Sequence, residues 1–252
     1  MKLNRRLVGK GCTVLAIMVS LLGGLSAQGA YRMEAFTSEE NFKHEVSLWA
    51  GPAIPLGNAR SFVPDGAGSS VIPQGATFGG GVNVGYRFYP LHQLYIGATV
   101  FGQMYGYDYK KIDLGGASRI EHSGWSSYGA AIEIGTRLPL GIYGLYFTAR
   151  VQAGYALMNS PAVAAIYSSQ DVGDIREDIL LRNTTGNLYL GGGIGVQYRV
   201  RRHLLCHIGL DYTFMPVGGW GLDEPVRYTG NTRDLSLRMS AFVINVGISY
   251  AF

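Results

Sequence analysis

Cysteine is almost absent, neither sign of charge is in excess in the mature part, and no long apolar run follows residue 27. One of the two cysteines, Cys12, lies in an N-terminal segment with the features of an export signal, so Cys206 is left without an intramolecular partner. A disulfide framework is therefore excluded. Cys206 itself falls on the outward phase of a strand pattern, where it reads as a small apolar filler. No stretch after residue 27 reaches the roughly 20 apolar residues of a membrane helix, so any membrane crossing must use strands. Cys/His metal spacing and a phosphate-cradling loop are also missing. Gly191-Gly192-Gly193-Ile194-Gly195 sits inside a strand pattern and lacks the strand–turn–helix setting of a dinucleotide site. We assign no catalytic residue, cofactor or metal, and expect no nucleic-acid partner.

Met1 to Ala27 reads as a secretory signal peptide. Lys2, Arg5, Arg6 and Lys10 form a basic start, and Leu25-Ser26-Ala27 offers small residues for cleavage. The apolar run Cys12 to Leu25 is too short for a spanning helix. The whole chain carries 21 basic and 17 acidic residues. The signal holds four of the cations and no carboxylate, which leaves 17 of each sign, so the basic balance belongs to export. Residues 28–43 read as a short periplasmic leader, and 44–252 as one barrel.

What is abundant is alternation. In the tail Phe242-Val-Ile-Asn-Val-Gly-Ile-Ser-Tyr-Ala-Phe252, every second residue from Phe242 to Phe252 is large and apolar, and those between are small or polar. A period of two with two different faces belongs to a strand between two solvents. Seven further segments share this grammar, at about 45–53, 78–89, 93–105, 125–138, 142–158, 188–200 and 204–215. Their connections alternate strictly between long linkers (54–77, 106–124, 159–187, 216–239) and tight turns at Pro90, Pro139 and Arg201-Arg202. Outward aromatics fall into two belts. Tyr86, Phe88, Tyr198, Tyr250 and Phe252 lie near the tight turns, and Tyr128, Tyr155, Tyr212, Phe214 and Phe242 near the long linkers. Two belts with aliphatics between them match two membrane–water interfaces. The expected fold is all-β: an eight-stranded antiparallel up-and-down transmembrane β-barrel, with both termini periplasmic and the long loops extracellular.

In this architecture the chain resembles the small eight-stranded outer-membrane barrels, the OmpA membrane domain and OmpX among them. It looks closest to the outer membrane protein beta-barrel group of Bacteroidota. The terminal Val246-Gly247-Ile248-Ser249-Tyr250-Ala251-Phe252 resembles the signal read by the barrel-assembly machinery. The resemblance implies residence in the outer membrane of a Gram-negative bacterium and contact with its lipids and lipopolysaccharide. It also implies recognition by the assembly machinery through the strand ending at Phe252. The sequence stops there, so the wall-binding domain that OmpA-type proteins append is not carried over.

The inward phase carries Glu45, Glu133 and Asp211 against Arg87, Arg137, Arg150 and Arg199. Eight strands enclose an interior that side chains just fill, so these ions read as a packed lumenal network. Adjacent strands suggest a diagonal Glu133–Arg150 contact. A narrow porin-like path lined by the same ions is the alternative, with Gly191, Gly193 and Gly195 leaving room for it. His207 and Asp211 share a strand about 13 Å apart, too far to form a dyad. His122-Ser123 is the one pair left for a lipid-modifying enzyme, and adjacent polar loop residues are ordinarily just solvated. Charges such as Asp171, Asp174, Arg176, Glu177 and Asp178 place the third linker in a solvated loop, where binding usually resides. The expectation is a largely plugged, non-enzymatic barrel acting through membrane architecture or surface loops. A subunit of a secretion or assembly complex is the remaining reading.

Overall fold

The computed structural model describes residues 42–57, 75–111, 116–142, 144–169, 173–180, 182, 184–216 and 238–252. The expected signal peptide and nearly all of the expected leader lie outside these residues. Eleven strands follow in order: β1 (His44–Leu56), β2 (Ala76–Leu91), β3 (Leu94–Tyr107), β4 (Arg119–His122), β5 (Trp125–Pro139) and β6 (Leu145–Asn159), then β7 (Val163–Ser169), β8 (Gly173–Leu180), β9 (Thr184–Arg199), β10 (Leu204–Pro216) and β11 (Arg238–Ala251). Eight of them close into a barrel in the order β1-β11-β10-β9-β6-β5-β3-β2, every pairing antiparallel.

Closure comes from β1 meeting β11, with Glu45 opposite Ala251 and Leu56 opposite Ser240. Backbone bonds lace this seam at its lower end, His44 N–H to Phe252 O at 3.0 Å and Phe252 N–H to His44 O at 2.9 Å. Inward and outward phases are as the alternation predicts. Glu45, Ser47 and Trp49 are buried while Val46 and Leu48 are exposed, and β11 buries Val243, Asn245 and Ser249 while exposing Phe242 to Phe252 in steps of two. Every residue of both aromatic belts is exposed except Phe214, which is half-buried.

The barrel strands run to 13–16 residues, longer than the roughly 9–11 a tilted spanning strand needs. Most of the excess lies beyond the expected bounds at the long-linker ends: β1 continues to Leu56, β9 begins at Thr184 and β11 at Arg238. At the other end β2 runs past Pro90 through a register shift between Phe88 and Leu91. A bulge is where a strand tolerates a residue with no N–H to donate. The β5–β6 turn contains Gly141 and Gly144, at φ 77° and 74°, a backbone conformation favouring glycine.

One expectation needs correction. The second and third linkers are not plain loops, because β4, β7 and β8 form a three-stranded antiparallel sheet. Asp174, Arg176, Glu177 and Asp178 lie on β8, and Asp171 falls outside the described residues. Ile120 and Ile179 of this sheet pack against the apolar core, which explains why so charged a segment orders as a strand.

Candidate functional site

The lumen has two layers. Toward the short turns lies a charged layer, and the structure places Glu45, Arg87, Glu133, Arg137, Arg150 and Asp211 in it, all buried. Arg199 is half-buried nearby, its guanidinium carbon 5.7 Å from the Tyr146 ring.

Glu45 is the hub. It accepts from Arg87 Nη1 at 2.9 Å, Tyr89 OH at 2.7 Å, Gln197 Nε2 at 3.1 Å and Arg137 Nη1 at 3.4 Å. Arg87 Nε also donates to Glu133 Oε1 at 2.6 Å, and Gln152 Nε2 donates to Glu133 Oε2 at 2.9 Å. The third carboxylate, Asp211, accepts from Arg150 Nε at 3.2 Å, from Arg150 Nη2 at 2.5 Å and from Asn245 Nδ2. The expected Glu133–Arg150 contact is replaced by these two separate hydrogen-bonded pairs.

Register explains the choice. Arg87, Gly97 and Glu133 stand side by side on β2, β3 and β5, and Arg150, Gly193 and Asp211 do so on β6, β9 and β10. In each triple an arginine crosses a glycine to reach a carboxylate two strands away. A Cβ on Gly97 would come within 3.2 Å of both Arg87 and Glu133, and one on Gly193 would overlap Asp211 Oδ1. The glycine between two opposite charges is the signal that adjacency reasoning missed. Gly193 thus seats an ion pair.

Flat π faces complete the layer. The guanidinium carbon of Arg87 lies 4.8 Å from the Trp49 and Tyr95 rings, and that of Arg150 lies 4.6 Å from Trp49. Satisfaction is incomplete, since Arg87 Nη2, Gln197 Oε1, His207 Nε2 and Asn245 Oδ1 are buried with no hydrogen-bond partner among the described residues. Buried water ordinarily serves such groups. His207 faces the Trp49 ring at 5.8 Å and shares no hydrogen bond with Asp211, whose partners are Arg150 and Asn245.

Toward the long linkers the layer turns apolar. Phe101, Tyr105, Trp125, Met158, Tyr189, Met215 and Met239 are at most 3% exposed and belong to one continuous cluster with Val163 and Leu180 from β7 and β8. Phe101 and Tyr189 stack across the lumen at 4.1 Å between centroids. The hydroxyls of Tyr105 and Tyr189 donate to Gln103 and Gln152 at 2.8 and 3.2 Å, so these two are satisfied from within.

Above it, the outer sheet turns one face to solvent. Arg176 bonds Glu121 at 3.3 Å and Asp178 at 3.1 Å, with Arg176 and Asp178 exposed to solvent and Glu121 half-buried. These residues border a cleft of about 260 Å³ together with Ser123, Ala162 and Arg182. His122, which ends β4, stacks on Tyr109 at 4.1 Å, and Ser123 Oγ accepts the N–H of Ala162 at 2.9 Å. The pair is thus engaged in holding the linkers together. Among the described residues, no group of three or more His, Cys, Asp or Glu is placed to hold a metal ion.

No family model matches the chain, and no curated protein matches it. Several solved structures do. A major outer membrane protein from Thermus thermophilus is 12% identical over 83% of this chain and 99% of its own, with a TM-score of 0.47. The attachment invasion locus protein Ail of Yersinia pestis is 11% identical over 84% and 100%, with a TM-score of 0.41. Neisserial surface protein A is 13% identical over 83% and 97%, with a TM-score of 0.41. The fold rests on this chain's own strand pairing: it is a closed eight-stranded antiparallel β-barrel, and its structural neighbours are small outer-membrane barrels.

Proposed function

We propose that this chain is an integral outer-membrane barrel with a closed lumen, non-enzymatic, acting as a membrane scaffold that presents its long-linker end for surface contacts. The apolar layer carries the reading. Phe101, Trp125, Met158, Tyr189, Met215 and Met239 are buried in one apolar cluster inside the barrel, on the way of any solute crossing it. An ion entering such a layer loses its hydration without gaining a compensating charge. The exposed aliphatic wall between two aromatic belts supports membrane residence. The tight turns are assigned to the periplasmic side and the β4-β7-β8 sheet to the outside.

Conductance tests the closure. Refolded protein, shown to be inserted in a planar bilayer, is expected to stay silent. Arg150→Ala should stay silent too, because Arg150 belongs to the charged layer and leaves the apolar one untouched. Discrete, reproducible openings of the unmodified protein would establish the narrow channel instead.

A further inference from the structure

Among the described residues, the exposed charged side chains at the tight-turn rim are of one sign. Lys43, Arg201 and Arg202 are exposed there, with Arg199 half-buried beside them. The carboxylate side chains of the charged layer beneath the rim, Glu45, Glu133 and Asp211, are buried and ion-paired to Arg87, Arg137 and Arg150. The opposite end is mixed, with Glu121, Asp174 and Asp178 beside Arg119, Arg176 and Arg182. The two ends therefore differ in charge although the chain beyond residue 27 balances its formal charges.

Apolar tips accompany the cations. Leu91 and Ile142 are 64% and 63% exposed at the ends of their turns, and Leu140 and Val200 are exposed as well. A turn held in water gains nothing from such residues, whereas one lying at the headgroup level buries them. Aromatics mark the same level. His44 stacks on Phe252 at 5.5 Å and bonds Tyr86 OH at 2.7 Å, and His203 stacks on Tyr250 at 5.5 Å. Ala251 N–H donates to His203 O at 2.8 Å, so the β9–β10 turn that carries the two arginines is tied to β11.

We propose that this rim is a docking surface for the phosphate headgroups of anionic phospholipids. Lys43, Arg201 and Arg202 supply the charge, and the apolar turn tips and aromatic ring hold them at headgroup depth. Guanidinium groups suit the site because their donor fork matches a phosphate. The inference rests on the membrane reading above and adds the lipid class and the residues.

Association of spin-labelled phosphatidylglycerol and phosphatidylcholine with the protein, refolded in mixed vesicles, tests it. Both leaflets then contain both lipids, so insertion direction does not matter. The expected result is a preference of about fivefold for phosphatidylglycerol at low salt, the factor for one engaged cation at a charged surface. It should fall toward unity at high salt. The Lys43→Gln/Arg201→Gln/Arg202→Gln variant should lose the preference, and Arg119→Gln/Arg176→Gln/Arg182→Gln should keep it. Equal association of the two lipids, or a preference that survives the rim substitutions, overturns the proposal. Insertion is scored separately in phosphatidylcholine vesicles. Failure to insert there would remove the membrane reading, and this inference with it.

Discussion

Replacing Gly193 with alanine puts a methyl carbon where the carboxylate of Asp211 now lies. The added Cβ would overlap Oδ1, come 2.8 Å from Asp211 Cγ and 3.0 Å from the backbone oxygen of Leu210. The β9 backbone has little room to retreat, because Gly193 is paired to Arg150 on one side and Asp211 on the other. The carboxylate must move, which takes both hydrogen bonds from Arg150 and one from Asn245. Breaking a buried pair costs about 3–5 kcal/mol. Alanine in a strand recovers about 0.5–1 kcal/mol over glycine, so the net loss should be about 2–4 kcal/mol. Urea unfolding of the protein refolded in vesicles, followed by tryptophan fluorescence, reads it. Gly102→Ala is the control, since its new Cβ meets only Val82 Cγ1 at 3.9 Å and should gain the about 0.5–1 kcal/mol that alanine brings to a strand, with no loss set against it. The mechanism is tested by repeating Gly193→Ala in an Asp211→Ala background. With the colliding carboxylate gone, the same methyl should cost less than about 1 kcal/mol. Equal costs in the two backgrounds would refute the seating argument.

Two further outcomes test the wall and its direction. Ile132→Arg places a charge on the lipid face, where Ile132 is 65% exposed, and should cost about 2–4 kcal/mol in vesicle unfolding. Thr99→Arg, buried in the lumen, should instead lose stability equally in vesicles and in detergent, and matching vesicle-specific losses at both positions would contradict the assignment of faces. Protease added to intact cells should cut between β7 and β8 and spare the turn at Pro139. Cleavage at Pro139 would reverse the proposed orientation.

The barrel was legible because each strand separates two environments, so a period of two shows in the residues themselves. Val46, Leu48, Ile132 and Ile248 alternate with Glu45, Ser47, Glu133 and Gly247, and tertiary context has little left to decide. The outer sheet was hidden for the opposite reason. On β7 the two faces read Val163, Ala165, Tyr167 and Ala164, Ile166, Ser168, nearly equal in polarity. On β8 the alternation of Ile175 and Ile179 with Asp174, Arg176 and Asp178 is present, yet so dense a set of charges resembles a solvated loop. In the lumen, phase revealed which residues face inward but could not choose their partners. That choice depends on which neighbour leaves space, and the glycines at 97 and 193 decide it.

The ionic layer acts on the barrel as cross-bracing. Backbone ladders tie each strand only to its two neighbours, whereas Glu45 on β1 reaches Arg87 on β2, Arg137 on β5 and Gln197 on β9. Arg87 and Glu133 bridge β2 to β5 across β3, and Asp211 on β10 joins Arg150 on β6 to Asn245 on β11. Such a set of buried ions adds little net stability over well-packed apolar side chains, because desolvation offsets most of the attraction. Its effect is on register. A slip of one residue on any braced strand would turn its charge onto the exposed apolar wall and leave the partner buried and alone. Slips of two keep the face but shift the charge by about 7 Å along the wall, beyond hydrogen-bond reach of a side chain fixed over a particular glycine. The apolar layer above carries no such constraint, since methionine and aromatic side chains adapt their packing to small displacements. The two layers therefore divide the work: the charged one fixes which residues face each other, and the apolar one packs the barrel interior toward the long linkers.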